Sequence, residues 1–133
     1  MKPSLQAGIA GKRDFRVERE STIGFMGEEA RVYATPMLVR DIEITCRELL
    51  LQHLDPGEDS VGTRVEIDHL APTLLGMKVS VEATIAEVKG RAVVFEVQAS
   101  DDKEKICRGR HMRFVVDIEQ TKKRLKQKQS TAA

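Results

Sequence analysis

Three residues interrupt the patterns around them, and together they carry groups that enzymes use for acid–base chemistry. Thr35 opens a helix-like apolar stretch, Glu43 lies eight positions later within it, and His69 ends a strand-like row. A hydroxyl can act as a nucleophile or a hydrogen-bond donor, a carboxylate can orient a base, and an imidazole can exchange protons near neutral pH. The three side chains therefore form a candidate catalytic set, provided that the fold brings them together.

The segment that carries Thr35 and Glu43 has the pattern of an amphipathic helix. Thr35 followed by Pro36 is typical of a helix start, with a capping hydroxyl and then a proline at the first helical position. Eight residues of helix separate Thr35 from Glu43 by roughly 12 Å along the axis, so both can border one groove. We predict a helix over 35–54, ended by "DPGED" at 55–59, with an apolar face formed by Leu38, Ile42, Cys46 and Leu49.

The segment "VGTRVEIDH" (61–69) alternates in the manner of a β-strand. Successive side chains of a strand point to opposite faces, which predicts one shared face for Val61, Thr63, Val65, Ile67 and His69. The histidine ends this row just before "LAPTLLG" turns the chain. Because the strand follows the helix directly, we expect it in the sheet that the helix covers, where His69 meets Glu43.

Most of the remaining chain also has strand character. Strand-like stretches precede the helix at 13–20 and follow it at 77–90, 91–100 and 106–118, whereas 21–34 has the mixed polarity of a loop or short helical segment. The predicted fold class is α+β, with one long helix packed against an antiparallel sheet of about five strands. Two such sheets could pair edge to edge across a dimer.

The end of the chain differs in composition from the rest. Residues 119–133, "EQTKKRLKQKQSTAA", contain five of the 22 lysines and arginines, and Leu125 is their one large apolar residue. We predict a folded domain over 1–118 and a basic polar tail over 119–133, either solvated or a frayed helix. Contact of the tail with nucleic acid is the weaker alternative.

Composition excludes several classes of function. The chain of 133 residues has the length of one domain, and its four phenylalanines, one tyrosine and no tryptophan argue against a stacking platform for single-stranded nucleic acid. No apolar run approaches the ~18 residues of a membrane span, and we expect neither secretion nor membrane insertion.

Cys46 and Cys107 lack CxxC spacing and fit a reducing cytoplasm. Three scattered histidines, among them His53 and His111, show no ligand spacing, so we expect no metal or other cofactor.

Each member of the candidate set also has a structural interpretation. Thr35 before proline could serve only as a helix cap, and Glu43 could be a surface residue beside the apolar face. His69 could be a hydrogen-bonded polar residue at a strand end, and we interpret His111 in "GRHMR" in that structural sense. Periodicity alone leaves the catalytic and the structural interpretations open.

Three stretches together resemble a known family. "ATPMLVRDIE", "LDPGEDSVGTRVEIDHLAPTLLGMKVSVEATI" and "GRHMRFVV" resemble the fluoroacetyl-CoA thioesterase-like family of hotdog-fold proteins, with similarity from about 13 to 118. The family's Thr, Glu and His triad falls on Thr35, Glu43 and His69, and its substrate-contacting glycine and arginine fall on Gly62 and Arg113. The resemblance implies a hotdog fold, a homodimer or larger assembly, and hydrolysis of an acyl-CoA thioester bound near the subunit interface.

One segment departs from the family pattern. The resemblance implies an acyl pocket covered by a lid that carries phenylalanines, but Met26 and Glu29 occupy the corresponding positions. We therefore expect hydrolysis of a small acyl-CoA without a strong fluoroacetyl preference. The alternative is a hotdog domain that binds acyl-CoA or another ligand without catalysis. A hotdog dehydratase is less well supported, because the Asp-to-His motif of the hydratase kind is missing.

Overall fold

Helix α1 (Thr35–Leu51) packs across one face of a five-stranded antiparallel sheet in the computed structural model, which describes residues 1–131. Two short strands form a separate hairpin before the helix, and a second helix ends the described chain. The sheet order is β1-β5-β6-β7-β4. The strands and the second helix are β1 (Ala10–Arg16), β2 (Thr22–Ile23), β3 (Val32–Tyr33), β4 (Glu58–His69), β5 (Lys78–Lys89), β6 (Ala92–Ser100), β7 (Lys105–Asp117) and α2 (Ile118–Thr131). The predicted α+β layout is confirmed.

The core lies between α1 and the facing side of the sheet. The predicted apolar helix face is buried: Leu38, Ile42 and Cys46 are fully inaccessible to solvent, and Leu49 nearly so. Alternate residues of β5 meet this face, and they too are fully buried: Val79, Val81, Ala83 and Ile85. Burial of a leucine or isoleucine side chain contributes about 1.5–3 kcal/mol, so this packing holds the helix in place over the sheet.

The start of α1 differs from the prediction. Ala34 occupies the N-cap position, its carbonyl accepts from the Leu38 N–H, and no side chain caps the helix. Thr35 is the first helical residue, so its predicted capping role is wrong and its hydroxyl is directed to another partner. The helix also ends at Leu51, earlier than predicted, and the turn to β4 passes through Gly57, whose positive φ of 87° favours glycine.

A β-bulge changes which side chains of β4 face the helix. The register between β4 and β7 shifts between Gly62 and Arg64, leaving Thr63 as the extra residue. Val65, Ile67 and His69 share the helix-facing side as predicted, because they pair with inward residues of β7. Val61 pairs with Phe114 on the outer face instead, so the predicted row is wrong before the bulge. Gly62, paired with buried Arg113, takes the inward position.

Strand β4 forms one edge of the sheet. It pairs with β7 on one side, and on its other side no strand follows within residues 1–131. At the middle of this edge Val65 faces the helix side yet remains 36% exposed. The apolar layer under α1 therefore continues to the sheet edge.

Helix α2 has no buried residue among those described, and Leu125 is exposed. The sequence leaves a solvated tail or a frayed helix open, and in the structure this segment is helical up to Thr131, while residues 132–133 lie outside the described residues. None of the helices within 1–131 is long and apolar enough to span a membrane.

Candidate active site

Thr35 and His69 meet at the N-terminal end of α1. The Thr35 Oγ1 lies 2.7 Å from the His69 Nδ1, which is a hydrogen bond between the first residue of the helix and the last residue of β4. Tyr33 packs edge-on against the imidazole, with ring centroids 6.3 Å apart. The Tyr33 hydroxyl donates to the buried carboxylate of Asp41, which fixes the ring that borders His69. Tyr33 thus supports the imidazole of the Thr35–His69 pair.

The electrostatic surroundings of His69 favour its neutral form. Partial burial lowers the pKa of His69 below its usual value of 6.5, because the charged imidazolium loses solvation. Its Nε2 is buried and has no hydrogen-bond partner within residues 1–131. Buried polar atoms in folded proteins are almost always paired. The described residues therefore leave this nitrogen without the hydrogen-bond partner that such an atom normally has.

A pocket of about 460 Å³ borders the Thr35–His69 pair. Apart from these two residues its walls are mostly apolar, contributed by the β2–β3 hairpin, the start of α1 and the loop after β4: Ile23, Phe25, Val32, Tyr33, Ala34, Pro36, Leu70, Ala71 and Pro72. Phe25 stands at the opening with 81% of its surface exposed, whereas Met26 and Glu29 do not line the pocket. The walls suit a small hydrocarbon group placed beside a polar pair.

Glu43 lies in a second polar group, against the inner face of β4. Its Oε1 is 3.4 Å from the Arg113 Nη1 and 3.9 Å from the His111 Nε2. A β-carbon at position 62 would overlap this carboxylate oxygen, so the glycine provides the space that Glu43 occupies. The carboxylate remains 41% exposed, whereas Arg113 is 5% exposed. The Glu43 carboxylate thus contacts buried groups of the sheet on one side and is accessible to solvent on the other.

The structure assembles the five predicted residues into two groups. Thr35 and His69 form one group, and Glu43, Gly62 and Arg113 form the other. Gly62 and His69 lie seven positions apart on β4, and because one of these is the bulge residue Thr63, the six paired steps span roughly 20 Å at ~3.3 Å per residue. The expected contact between Glu43 and His69 is therefore absent within one chain, because Glu43 lies beside Gly62 whereas His69 lies at the end of β4.

Sequence reasoning gave His111 no part in this arrangement. The imidazole of His111 is fully buried and contacts Arg113 directly. The signal available in the sequence was the spacing of two between His111 and Arg113 on one strand, which places both on the same face.

Other reactive groups of the described chain offer no competing site. Burial raises the pKa of Cys46 to about 12 and that of Cys107 to about 11, which keeps both as unreactive thiols. Residues 1–131 contain no cluster of three or more histidine, cysteine or acidic side chains that could hold a metal ion.

A larger cavity, of about 580 Å³, lies on the outer face of the sheet. Cross-strand charge pairs line it, such as Arg110–Glu96 at 3.8 Å and Arg108–Asp68 at 3.7 Å. It contains no nucleophile or base of the two groups described above. We therefore place the candidate active site at the Thr35–His69 pocket.

Comparison with solved structures defines the class of this protein. A hot-dog-like protein from Thermanaerovibrio acidaminovorans superimposes with a TM-score of 0.84 at 26% identity, covering 96% of this chain and 93% of that one. A structure of the fluoroacetyl-CoA thioesterase FlK superimposes with a TM-score of 0.86 at 30% identity, covering 94% and 98%. The chain has the hotdog fold.

Sequence comparison defines the family. Residues 17–119 match the profile of the fluoroacetyl-CoA-specific thioesterases. A fluoroacetyl-CoA thioesterase from Streptantibioticus cattleyicolor is 31% identical over 135 residues, covering 96% of this chain and 97% of that protein. The chain therefore belongs to the fluoroacetyl-CoA-specific thioesterase family.

Proposed function

We propose that this protein is a thioester hydrolase that converts a small acyl-CoA to the free acid and CoA, using Thr35, His69 and Glu43. Membership of the thioesterase family supports the class of reaction. The observation that carries the residue assignment is His69 itself, whose Nδ1 is bonded to the Thr35 hydroxyl while its buried Nε2 has no partner. A histidine engaged on one nitrogen and unpaired on the other is poised to move a proton.

The natural partner for the unpaired nitrogen is a carboxylate from a second subunit. Antiparallel pairing of two β4 edges about a two-fold axis at residue 66, with Thr63 left in the bulge, would set Gly62 of one subunit beside His69 of the other. The Glu43 carboxylate lies directly beside Gly62. The two-fold rotation that pairs the β4 edges would therefore bring the partner subunit's Glu43 toward the His69 Nε2. The exposed apolar edge at Val65 would be covered in such a homodimer.

The resulting Thr–His–Glu order resembles a hydrolytic triad. With the Thr35 hydroxyl donating to Nδ1, the Nε2 carries the hydrogen and donates it to the carboxylate, which stabilises the imidazolium formed when His69 accepts a proton. Either the Thr35 hydroxyl attacks the thioester carbonyl, or His69 activates a water molecule that Thr35 orients. In a third route the carboxylate of Glu43 attacks and forms an anhydride. The acyl–sulfur bond breaks in each case. When Thr35 or water attacks, His69 passes the proton that it accepted to the departing CoA thiolate. When Thr35 or Glu43 attacks, a water molecule then hydrolyses the resulting ester or anhydride and releases the free acid.

The remaining groups of the site would bind the acyl group, stabilise charge on the carbonyl oxygen and position Glu43. The N-terminal end of α1 carries the positive end of the helix dipole beside Thr35, which favours negative charge on the carbonyl oxygen. The apolar walls around Ile23 and Ala71 would hold the acyl group. Arg113 and Gly62, which the family resemblance implies as substrate contacts, lie around Glu43 and would set its carboxylate in place.

A thiol-release assay tests this proposal. The purified protein is incubated with short, branched and aromatic acyl-CoAs, and free CoA is measured with a thiol reagent. We expect release from at least one substrate, and a loss of about 10²–10⁴-fold in kcat for His69→Ala with an unchanged circular dichroism spectrum. His53→Ala is the matched control, because His53 bonds Ser4 far from the pocket and should not affect kcat. Binding of acyl-CoA with no thiol release would identify the non-catalytic ligand-binding domain instead.

A further inference from the structure

The imidazole of His111 lies next to Glu43, and both of its ring nitrogens have a polar neighbour. It is fully buried on the inner face of β7 and lies nearly parallel to the Phe95 ring, with centroids 6.3 Å apart. Its Nδ1 lies 2.8 Å from the carbonyl oxygen of Arg64, and its Nε2 lies 3.1 Å from the Arg113 Nη1. Both ring nitrogens therefore have a fixed partner.

These partners determine which nitrogen carries the hydrogen. A backbone carbonyl can only accept, so the Nδ1 of His111 must donate to Arg64. A guanidinium can only donate, so the Nε2 must accept from Arg113. His111 is therefore the neutral Nδ1–H tautomer. Burial and the neighbouring Arg113 charge both lower the pKa of His111, which keeps it neutral.

Ser60 and His111 hold the guanidinium of Arg113, which directs its Nη1 group at Glu43. Its Nε donates to the Ser60 hydroxyl at 2.7 Å, and its Nη2 donates to the Ser60 carbonyl at 2.9 Å. The Nη1 carries two hydrogens, of which one is directed to His111 and the other to Glu43 at 3.4 Å. Because the guanidinium is planar and rigid, the Ser60 and His111 contacts together set the direction of the bond to Glu43.

We propose that His111 is a positioning residue that aims Arg113 at Glu43 by accepting one of its Nη1 hydrogens. This inference rests on the proposed function, in which the Glu43 carboxylate takes part in the reaction. His111 touches neither the substrate pocket nor the Thr35–His69 pair, and its Nε2 lies closer to the Arg113 Nη1, at 3.1 Å, than to the Glu43 Oε1, at 3.9 Å, so we assign its effect to the bond with Arg113. An imidazole that merely filled the space beside Phe95 would have no such effect.

Two amide substitutions separate these roles. In His111→Gln, the side-chain oxygen reaches the place of Nε2 and can accept from Arg113, but the donor to the Arg64 carbonyl is lost. In His111→Asn, the side-chain NH₂ reaches the place of Nδ1 and can donate to the Arg64 carbonyl, but the acceptor for Arg113 is lost. Each variant thus keeps one of the two hydrogen bonds.

We expect kcat of His111→Gln to exceed that of His111→Asn by about 10-fold or more, since the bond kept in the glutamine variant involves a charged group. KM should change little, because His111 does not line the pocket. In a Glu43→Gln background the difference between the two variants should disappear, since no carboxylate is left to position. Thr45→Ala is the matched control: it removes a buried hydrogen bond from the helix that carries Glu43 without touching Arg113.

Equal kcat for two folded variants, or a difference that persists in the Glu43→Gln background, would overturn the positioning role. A nitrogen NMR spectrum of the wild-type histidines gives a readout independent of activity, and we expect the neutral Nδ1–H tautomer for His111. An Nε2–H tautomer would contradict the bond to Arg113. Absence of thiol release from the wild-type protein would instead overturn the proposed function, and with it the catalytic consequence, while the tautomer measurement still tests the placement of Arg113.

Discussion

The carboxylate of Glu43 occupies the space that a side chain at Gly62 would need. A β-carbon at residue 62 would overlap the Glu43 Oε1 and would also lie 3.2 Å from the Cε1 of His111. Glu43 extends from the helix, and Gly62 lies on the facing edge strand. The absence of a side chain at residue 62 therefore lets a carboxylate lie between the helix and the sheet, and it makes the position of Glu43 depend on a residue 19 positions away.

Gly62→Ala should displace Glu43 and lower turnover while the fold persists. The carboxylate is the flexible end of its side chain, so it can move away at little cost in stability. A misplacement of about 1 Å in a catalytic group can cost ~10²-fold in rate, and we expect kcat to fall by that order. In a Glu43→Ala background the added methyl group has room and should cost little more. A Gly62→Ala protein with wild-type kcat would contradict the assignment of Glu43.

Complementation between subunits tests the shared site. Thr35→Ala and Glu43→Gln subunits should each be impaired as homodimers. A heterodimer purified with two different tags would contain one site with both substitutions and one intact site, and should regain about half of the wild-type kcat. Two Thr35→Ala subunits with different tags serve as the control. A heterodimer as inactive as its parents would show that each subunit supplies its own complete site.

The pH dependence of kcat/KM should report the carboxylate at His69. His69 acts as a base only when neutral, so the rate should fall on the acid side as the imidazole becomes protonated. Burial alone lowers the pKa of His69 below 6.5, whereas a nearby carboxylate raises it. Glu43→Gln removes that charge, and the acid limb should move to lower pH. An acid limb at the same pH in both proteins would argue against a Glu43–His69 contact.

Fluoroacetyl-CoA should not be strongly preferred over acetyl-CoA. Met26 and Glu29 replace the phenylalanines that the family resemblance implies, and neither lines the pocket beside His69. A thousandfold preference in kcat/KM, or about 4 kcal/mol of transition-state binding, would show that another part of the pocket recognises fluorine. The double variant Met26→Phe with Glu29→Phe should raise the fluoroacetyl preference, and a Leu125→Phe variant in the distant helix α2 is its control.

Removal of residues 119–133 should leave the fold and the turnover nearly unchanged. No described residue of α2 is buried, and its Lys122–Glu119 ion pair at 3.2 Å lies within the helix itself. The truncated protein keeps Ile118, whose N–H bonds the Gly57 carbonyl beside β4. Thermal unfolding and the thiol-release assay measure the result. Precipitation of the truncated protein, or loss of most activity, would make the tail part of the functional domain.

Much of this fold could be predicted from the sequence, because burial of one face gives each helix or strand a periodic pattern of apolar residues. The intervals of three and four between Leu38, Ile42, Cys46 and Leu49 record the buried face of α1. The alternation of β5 records its buried face in the same way. Glu43 and His69 followed from side-chain chemistry, since a carboxylate and an imidazole interrupt apolar patterns, whereas Gly62 and Arg113 followed only from the family resemblance.

The tertiary structure decided what periodicity does not encode. The bulge at Thr63 places Gly62 rather than Val61 on the inner face, and a single inserted residue leaves no mark in composition. The Thr35 hydroxyl bonds His69 instead of capping its helix, because the fold brings a residue 34 positions away within 2.7 Å. His111 and Arg113 became supports of Glu43 through contacts across three elements. Such contacts depend on the relative placement of elements, which local sequence does not specify.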